Sequence, residues 1–195
     1  GVRRVEALRD KQLEDYEKFV QKDKSLKEKT QKDQLDLIKK ELLKHKVKPD
    51  YKDDLDIFEN IKNLNKQLEK IKIQNIIKDK KKNIIKDKKI ASFTLRHQVL
   101  IDFPSKELRN IVDQSKKDIK TGIVVGFSIF EEKVGVAVGI TSDLAKKYDA
   151  VELVKIASEV LGGSGGGGRK DFAQAGGTNK DKIEEAFKTL SKKIN

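Results

Sequence analysis

The placement of helix-breaking residues restricts the fold of this chain more than any other feature. The first 90 residues contain one proline, Pro49, and no glycine after Gly1. Proline interrupts a helix because it lacks an amide donor and its ring clashes with the preceding turn. Long helices are therefore expected on either side of Pro49. Residues 91–195 hold the other twelve glycines and β-branched runs, which are typical of turns and strands. We place a domain boundary near residues 88–92.

The first part has the apolar spacing of a helical hairpin. After Pro49 an alternating spacing of four and three forms one stripe, which consists of Ile57, Ile61, Leu64, Leu68 and Ile71. Before it, the segment from about residue 13 to 46 carries a second stripe, which consists of Leu35, Ile38, Leu42 and Leu43. Such stripes form the seam of a coiled coil. The pattern predicts an antiparallel helical hairpin, or coiled coil, over residues 8–90 with its turn near residues 47–53. Closure of the hairpin within one chain and dimerisation of two chains both remain open.

The end of this arm is strongly basic. Eleven lysines lie between residues 61 and 89, against three acidic residues. A charge run is usually a solvated face, and an AT-rich genome also raises lysine content. The density nevertheless suggests a row of phosphate contacts. The auxiliary candidates are Lys78, Lys81, Lys82 and Lys86.

The second part alternates strand and helix patterns. Residues 91–103, 122–130 and 133–140 have the composition of strands, and Glu131–Glu132 suits a hairpin turn. Residues 104–120, 150–161 and 179–194 have helical spacing, and Pro104 suits a first helical turn. The sequence therefore predicts a globular α/β (α+β) domain over residues 91–195.

A glycine run within this domain is the strongest candidate for a binding site. Residues 161–178 read LGGSGGGGRKDFAQAGGT. A flexible linker is disfavoured because only one helix follows, and it cannot form a core alone. Gly162 or Gly163 suits the cap of the preceding helix. Glycine lets a ligand approach the backbone, and successive amides can form an anion-binding nest.

The residues after the run supply charge and polar groups. Arg169 and Lys170 can contact phosphate, Gln174 can contact a base or ribose, and Asp171 either joins the site or orients Arg169. The candidate site consists of Gly165, Gly166, Gly167, Gly168, Arg169, Lys170, Asp171 and Gln174. The run lacks the Gly-Lys-Ser/Thr ending of a nucleotide-hydrolysing loop.

The overall composition excludes several classes of function. Net charge is +12 and the pI is about 9.6, which favours a polyanionic partner, with nucleic acid as the first candidate.

The content of cysteine and histidine limits the chemistry of the chain. There is no cysteine, and the two histidines, His45 and His97, lie far apart. We therefore expect no thiol catalysis, no Ser-His-Asp triad and no metal site built on cysteine or histidine, and treat both histidines as packing or surface residues. We expect no membrane segment and a cytoplasmic location. The chain begins at Gly1 and lacks methionine, so we expect either a piece of a longer protein or a sequence in which methionines are replaced or left out.

Two separated motifs resemble alanyl-tRNA synthetase. GGSGGGGRKDFAQAGG, followed by a terminal helix, is similar to the end of that family, with Lys170 in place of the usual proline and Phe172 in place of the common methionine. GVRRVEA at residues 1–7 resembles the last strand of the family's editing domain. The motifs occur in the family's order, so the resemblance extends over the whole chain.

The resemblance implies a tRNA-binding fragment without catalytic groups. It implies that residues 1–7 end the editing domain, 8–90 form a dimerisation arm, and 91–195 form the globular domain related to that of DHH phosphoesterases. It further implies binding of tRNA(Ala) at the elbow, in support of aminoacylation and editing by the rest of the synthetase chain. ATP, magnesium and zinc would belong to the parent enzyme, an alanine–tRNA ligase. The alternatives are a mainly oligomerising coiled coil and the accessory domain of a DHH-type phosphoesterase.

Overall fold

The computed structural model describes residues 10–194, so the resemblance at residues 1–7 lies outside the described part. The helices are α1 (Lys11–Lys44), α2 (Ile57–Lys78), α3 (Leu108–Ile119), α4 (Ala150–Val160) and α5 (Ile183–Ile194). The strands are β1 (Asn83–Ile90), β2 (Phe93–Ile101), β3 (Gly122–Phe130), β4 (Lys133–Ile140), β5 (Gly166–Arg169) and β6 (Phe172–Gly177). Short 3-10 turns, Ser105–Glu107 and Lys180–Lys182, lead into α3 and α5. The chain divides into two compact units between Lys72 and Ile73.

The first unit is a helical hairpin, as the two apolar stripes predict. Its core consists of Leu35, Ile38 and Leu42 from α1 with Ile61, Leu64 and Leu68 from α2. Leu43, assigned to the stripe from sequence, is instead exposed to 60%. The physical reason is the helical repeat, since Leu42 already occupies the inward direction and the next residue turns about 100° away. The hairpin fold is therefore confirmed, but α1 contributes three of the four expected residues to its core.

A buried asparagine fixes the loop that joins the two helices. Asn60 of α2 is fully buried. Its Nδ2 donates to the carbonyl oxygens of Lys52, Leu55 and Asp56 at 2.8, 3.1 and 3.1 Å. Its Oδ1 accepts from the backbone N–H of Lys52 at 2.9 Å. One side chain thus satisfies polar groups that the irregular loop after Pro49 leaves without a helical partner.

The second unit is built on a six-stranded sheet in the order β1-β2-β3-β4-β6-β5. Only β2 and β3 are parallel, and α3 makes the crossover between them. One face packs under α4 and α5 around residues such as Val125 and Phe127. The other face packs under α3 and the last apolar residues of α2, around Leu100 and Leu108. This arrangement confirms the expected mixed α/β domain and leaves β1 and β5 as the edges of the sheet.

The lysine-rich segment is a strand at its end, not helix throughout. The apolar pattern predicts a helical arm to residue 90, whereas α2 ends at Lys78 and β1 follows. β1 pairs with β2 from Asn83 with Leu100 to Ile90 with Phe93. This pairing outweighs the local helical preference, which is a weak influence beside tertiary contacts. The expected boundary near residues 88–92 therefore falls at the turn between two strands of one sheet.

Candidate nucleic-acid interface

The glycine run begins with a helix cap. Gly162 follows α4 with a φ of 74°, a conformation that residues with a side chain adopt at a cost. Its N–H donates to the carbonyl oxygen of Glu159, and the N–H of Gly163 donates to that of Ser158. This pair of bonds is the Schellman motif. Gly162 and Gly163 therefore end α4, as predicted, and turn the chain back toward the sheet.

The remainder of the run is an edge strand. β5 pairs with β6 from Gly166 with Ala175 to Arg169 with Phe172. In an extended strand, successive N–H groups point to opposite sides. The expected nest of converging amides over Gly165–Gly168 is thus replaced by a ladder on one side and a free edge on the other. The sequence gives no strand signal here because glycine is depleted in strands.

Two kinds of glycine alternate along this strand. A β-carbon at Gly166 would meet Ala175 and Val154, and one at Gly168 would meet the backbone of Phe172. These glycines allow β5 to pack within the domain. At Gly165 and Gly167, by contrast, no atom of the described chain lies within 4 Å of an added β-carbon, apart from the excluded sequence neighbours.

Gly167 is the informative position of this pair. Gly165 has a φ of 131°, a backbone conformation that favours glycine, and this explains why glycine occupies the position. Gly167 has neither a positive φ nor a close neighbour, and it is exposed. No contact within the described residues accounts for a glycine at this position. The absence of a side chain leaves the outer surface of the strand open to close approach.

Arg169 and Asp171 form a two-point ion pair at the end of the hairpin. Arg169 Nε lies 3.0 Å from Asp171 Oδ1, and its second terminal nitrogen lies 3.2 Å from Oδ2. This hydrogen bonding holds the pKa of Asp171 below its usual value. Asp171 therefore orients Arg169, which was the structural alternative for this carboxylate. The guanidinium side chain remains 68% exposed and available to an anion.

The turn of this hairpin is fastened by its backbone. The carbonyl oxygen of Lys170 accepts from the N–H of Ala150 at 3.0 Å, and that of Asp171 accepts from Ile140 at 2.9 Å. These bonds tie the turn to the start of α4 and the end of β4. Lys170 is exposed, so its ammonium group extends from a fixed backbone even though it replaces the family's usual proline.

Gln174 has a structural contact in place of a free amide. Its Nε2 donates to the carbonyl oxygen of Ser105 at 2.8 Å, which joins β6 to the turn before α3. Ser105 also exchanges a hydrogen bond with Ser128 at 2.9 Å. The structure thus places Gln174 on the face of the sheet that α3 covers, with its donor group already engaged.

The auxiliary lysines divide into two pairs. Lys82 lies 2.6 Å from Asp102, and Lys86 lies 3.0 Å from Glu184, so both ammonium groups are held by carboxylates. Lys78 ends α2 and Lys81 lies in the following turn, both exposed. Lysines on an edge strand also discourage pairing with another sheet. The charge of β1 therefore has a structural role besides any attraction for phosphate.

A groove beside the glycine run is lined largely by backbone. It has a volume of about 600 Å³ and is open to solvent. Its lining includes Ser105, Lys133 and the glycines of both Gly-Gly pairs, 162–163 and 176–177. Within residues 10–194 no cluster of three or more metal-ligating side chains occurs. None of the helices described is both long enough and apolar enough to cross a bilayer.

Comparison with known families identifies the class of the globular part. Residues 87–195 match the DHHA1 domain, and the chain therefore belongs to the DHHA1 domain family. The matched range begins in β1 and includes the other five strands with α3, α4 and α5.

Within that class, the chain is similar to alanine–tRNA ligases. It is 52% identical over 85 residues to the alanine–tRNA ligase of Hyphomonas neptunium, covering 44% of this chain and 10% of that protein. It is 49% identical over 83 residues to that of Parvibaculum lavamentivorans, covering 42% of this chain and 9% of that protein. The chain thus spans about a tenth of these relatives.

A solved structure supports the same relationship. The crystal structure of the C-Ala domain of Aquifex aeolicus alanyl-tRNA synthetase is 34% identical, with a TM-score of 0.52. The match covers 55% of this chain and 96% of that domain. The fold and the family expected from the sequence motifs are therefore confirmed.

Proposed function

We propose that this chain is the C-terminal tRNA-binding region of an alanine–tRNA ligase and binds tRNA(Ala) near its elbow. The observation that carries the proposal is Gly167, an exposed strand residue whose lack of a side chain serves no contact in the described part of the chain. Arg169 and Lys170 stand next to it with exposed cationic groups. The similarity to alanine–tRNA ligases favours this role over that of a phosphoesterase accessory domain.

The chemistry of the edge suits recognition by backbone and shape. The tRNA elbow presents phosphates, 2′-hydroxyls and exposed bases, whereas the grooves of an RNA duplex are poorly read by side chains. The free edge of β5 can bring backbone groups against such a surface, while Arg169 and Lys170 neutralise phosphates. The proposed role is to hold one tRNA for aminoacylation and editing by the longer protein in the cytoplasm, with no catalytic group in this fragment.

The test is binding of labelled tRNA(Ala) to the full chain across ~50–300 mM salt. We expect a log-log slope of about −0.7 to −0.9 for each phosphate neutralised. Gly167→Val adds a side chain where the described structure leaves open space, so the fold should persist and binding should weaken. Gly167→Ala is the matched smaller change and should weaken binding less.

Two outcomes would count against the glycine edge. Equal affinity of Gly167→Val and the unaltered chain would remove this strand from the interface. If the Arg169→Ala/Lys170→Ala variant lost tRNA binding and Gly167→Val did not, the contact would be limited to the side chains of Arg169 and Lys170. Absence of any binding by the unaltered chain would refute the tRNA-binding function as a whole.

Dimerisation through the helical arm is a second candidate function, and α1 carries the observation that favours it. This helix has 34 residues, a length of about 51 Å, but its buried core residues lie only between Leu35 and Leu42. Earlier along the helix, five large apolar side chains are exposed within an arc of about 140°. They are Leu13, Tyr16, Phe19, Val20 and Leu26. Leu13, Tyr16 and Val20 continue the direction of the hairpin seam.

We propose that this apolar face pairs two copies of the chain. Sedimentation at tens of micromolar should give a dimer for the unaltered chain and a monomer for Tyr16→Lys/Val20→Lys. Leu43→Lys, at an exposed position on another side of the helix and outside this arc, is the control and should remain dimeric. A monomer at every concentration of the unaltered chain would contradict the proposal.

A further inference from the structure

A second basic surface lies at the C-terminal end of α3. An open groove of about 610 Å³ is formed by the last turns of α3 and the residues after β4. It is lined by Asp113, Lys116, Lys117, Lys120, Thr141 and Ser142. Three ammonium groups thus border one concave surface against a single lining carboxylate. The sequence pattern KKDIK at residues 116–120 carries this charge but resembles an ordinary solvated helix end.

Lys116 packs on a glycine of the sheet beside Val112. A β-carbon at Gly139 would collide first with Cγ1 of Val112 and would also lie 2.9 Å from Cδ of Lys116. The lysine side chain is only 19% exposed, and its Nζ lies 3.7 Å from Asp113. The absence of a side chain at position 139 therefore makes room for Val112 and for the aliphatic part of Lys116, which lines the groove.

Lys120 occupies an unusual backbone conformation. Its φ and ψ are 63° and −61°, and the N–H of Thr121 donates to the carbonyl oxygen of Ile119 at 2.7 Å. These are the features of a γ-turn with positive φ, which is rare and strained for a residue with a β-carbon. Glycine would relieve the strain. Lys120 therefore contributes its side chain to the groove from a backbone conformation that glycine would adopt at lower cost.

The carboxylates around the groove are mostly engaged elsewhere. Hydroxyl groups of Thr141 and Thr121 hydrogen-bond Asp143 and hold its pKa below the usual value. Asp118 lies 3.5 Å from Arg96. Lysines near the C-terminal end of α3 also interact favourably with the negative end of the helix dipole. That interaction does not account for the strained turn at Lys120 or for the packing of Lys116.

The groove lies close to the hairpin described above. The carbonyl oxygen of Asp171, in the turn of that hairpin, accepts from the N–H of Ile140 at 2.9 Å. The next residue along the chain, Thr141, lines the groove. The basic groove and the turn of β5–β6 therefore form neighbouring parts of one surface of the second unit.

We propose that this groove binds the phosphodiester backbone of RNA, as a second contact beside the glycine edge of β5. The partner follows from the chemistry, since ammonium groups act as point charges toward phosphate and carry no base specificity. The inference rests on the proposed tRNA-binding function and extends it to a surface on another element. Where one part of an RNA strand lies against β5, this groove would bind phosphates of the same RNA strand.

The experiment compares two charge-matched double variants of the full chain. Lys117→Gln/Lys120→Gln alters the groove, and Lys192→Gln/Lys193→Gln removes the same charge from α5 on the opposite face of the sheet. Binding of tRNA(Ala) transcript is measured over ~50–300 mM salt. The groove variant should weaken binding about three- to tenfold and reduce the salt slope by about 0.7 to 0.9 per lysine. The control should change neither by a comparable amount.

A third variant separates strain from charge. Lys120→Gly should relieve the γ-turn and raise the melting temperature by about 2 to 4 °C, while still weakening RNA binding. Groove and control variants with equal affinities would overturn this inference and leave the proposed function standing. Failure of the unaltered chain to bind RNA would overturn both. Normal RNA affinity in Lys120→Gly would remove Lys120 from the contact.

Discussion

Acidification should destabilise the second unit through one buried histidine. His97 is 2% exposed and stacks on Phe187 at a centroid distance of 4.1 Å, with Phe127 edge-on at 5.5 Å. Its Nε2 is buried without a hydrogen-bond partner in the described structure. Burial lowers the pKa of His97, opposed by the charge of Glu184 and assisted by that of Lys86. The folded protein therefore holds this imidazole neutral where the unfolded chain is protonated.

The sign and size follow from proton linkage. A lowered folded pKa gives stability that is present above the unfolded value of about 6.5 and is lost as pH falls below it. Between pH 7.5 and 5.5 the loss reaches at most about 1.4 kcal/mol for one proton. His97→Phe retains an aromatic ring between Phe187 and Phe127 and removes the titration, so its free energy of unfolding should change less over this interval.

The assay is native-state hydrogen exchange of the β3 amides, because it reports on the second unit alone. The control is His45→Gln, which alters the other histidine, an exposed residue of the first unit. In the unaltered chain and in the His45→Gln control, the β3 amides should lose protection against hydrogen exchange as the pH falls. In His97→Phe they should lose less protection. The reasoning fails if His97→Phe keeps the full dependence, or if His45→Gln abolishes it.

Three further predictions concern the loop, the glycines and an ion pair. Asn60→Ala removes four hydrogen bonds and should cost about 2–4 kcal/mol of hairpin stability in urea unfolding. Gly163→Ala should lower the melting temperature sharply, since its β-carbon would collide with the sheet backbone, whereas Gly167→Ala should change it little. Arg96 holds the pKa of Asp87 low by hydrogen bonding, so this pair stabilises the fold above about pH 4 and the contribution is lost on acidification. Asp87→Asn should abolish that part of the acid dependence in equilibrium unfolding.

Regular periodicity made much of the fold predictable. The stripe from Ile57 to Ile71 fixes a helix face because apolar residues recur with the helical repeat. The β3–β4 hairpin follows equally from its apolar runs, and the observed pairing of Phe130 with Lys133 confirms the two-residue turn. Each of these features depends on neighbours in the sequence.

Features that depend on pairing with other strands could not be predicted from the sequence. Half of the eight residues of β1 are charged and its partner strand supplies the hydrogen bonds, so Lys86 and its neighbours gave no strand signal. β5 is extended because β6 lies beside it, although Gly166 and Gly167 have low strand propensity. The bond from Gln174 to Ser105 joins residues far apart in the chain, and no local pattern could reveal it.

The strand order also has a kinetic consequence. β1–β2, β3–β4 and β5–β6 are hairpins, so their pairs form between segments that meet early. The parallel pairs of β2 and β3 join residues about 28 positions apart, and those of β4 and β6 join residues about 33 to 43 apart. Closing these longer loops slows folding because chain entropy is lost before the contacts form. The three hairpins should therefore exist before the sheet is complete, with the β5–β6 hairpin, which contains the glycine strand, among the last parts to join it.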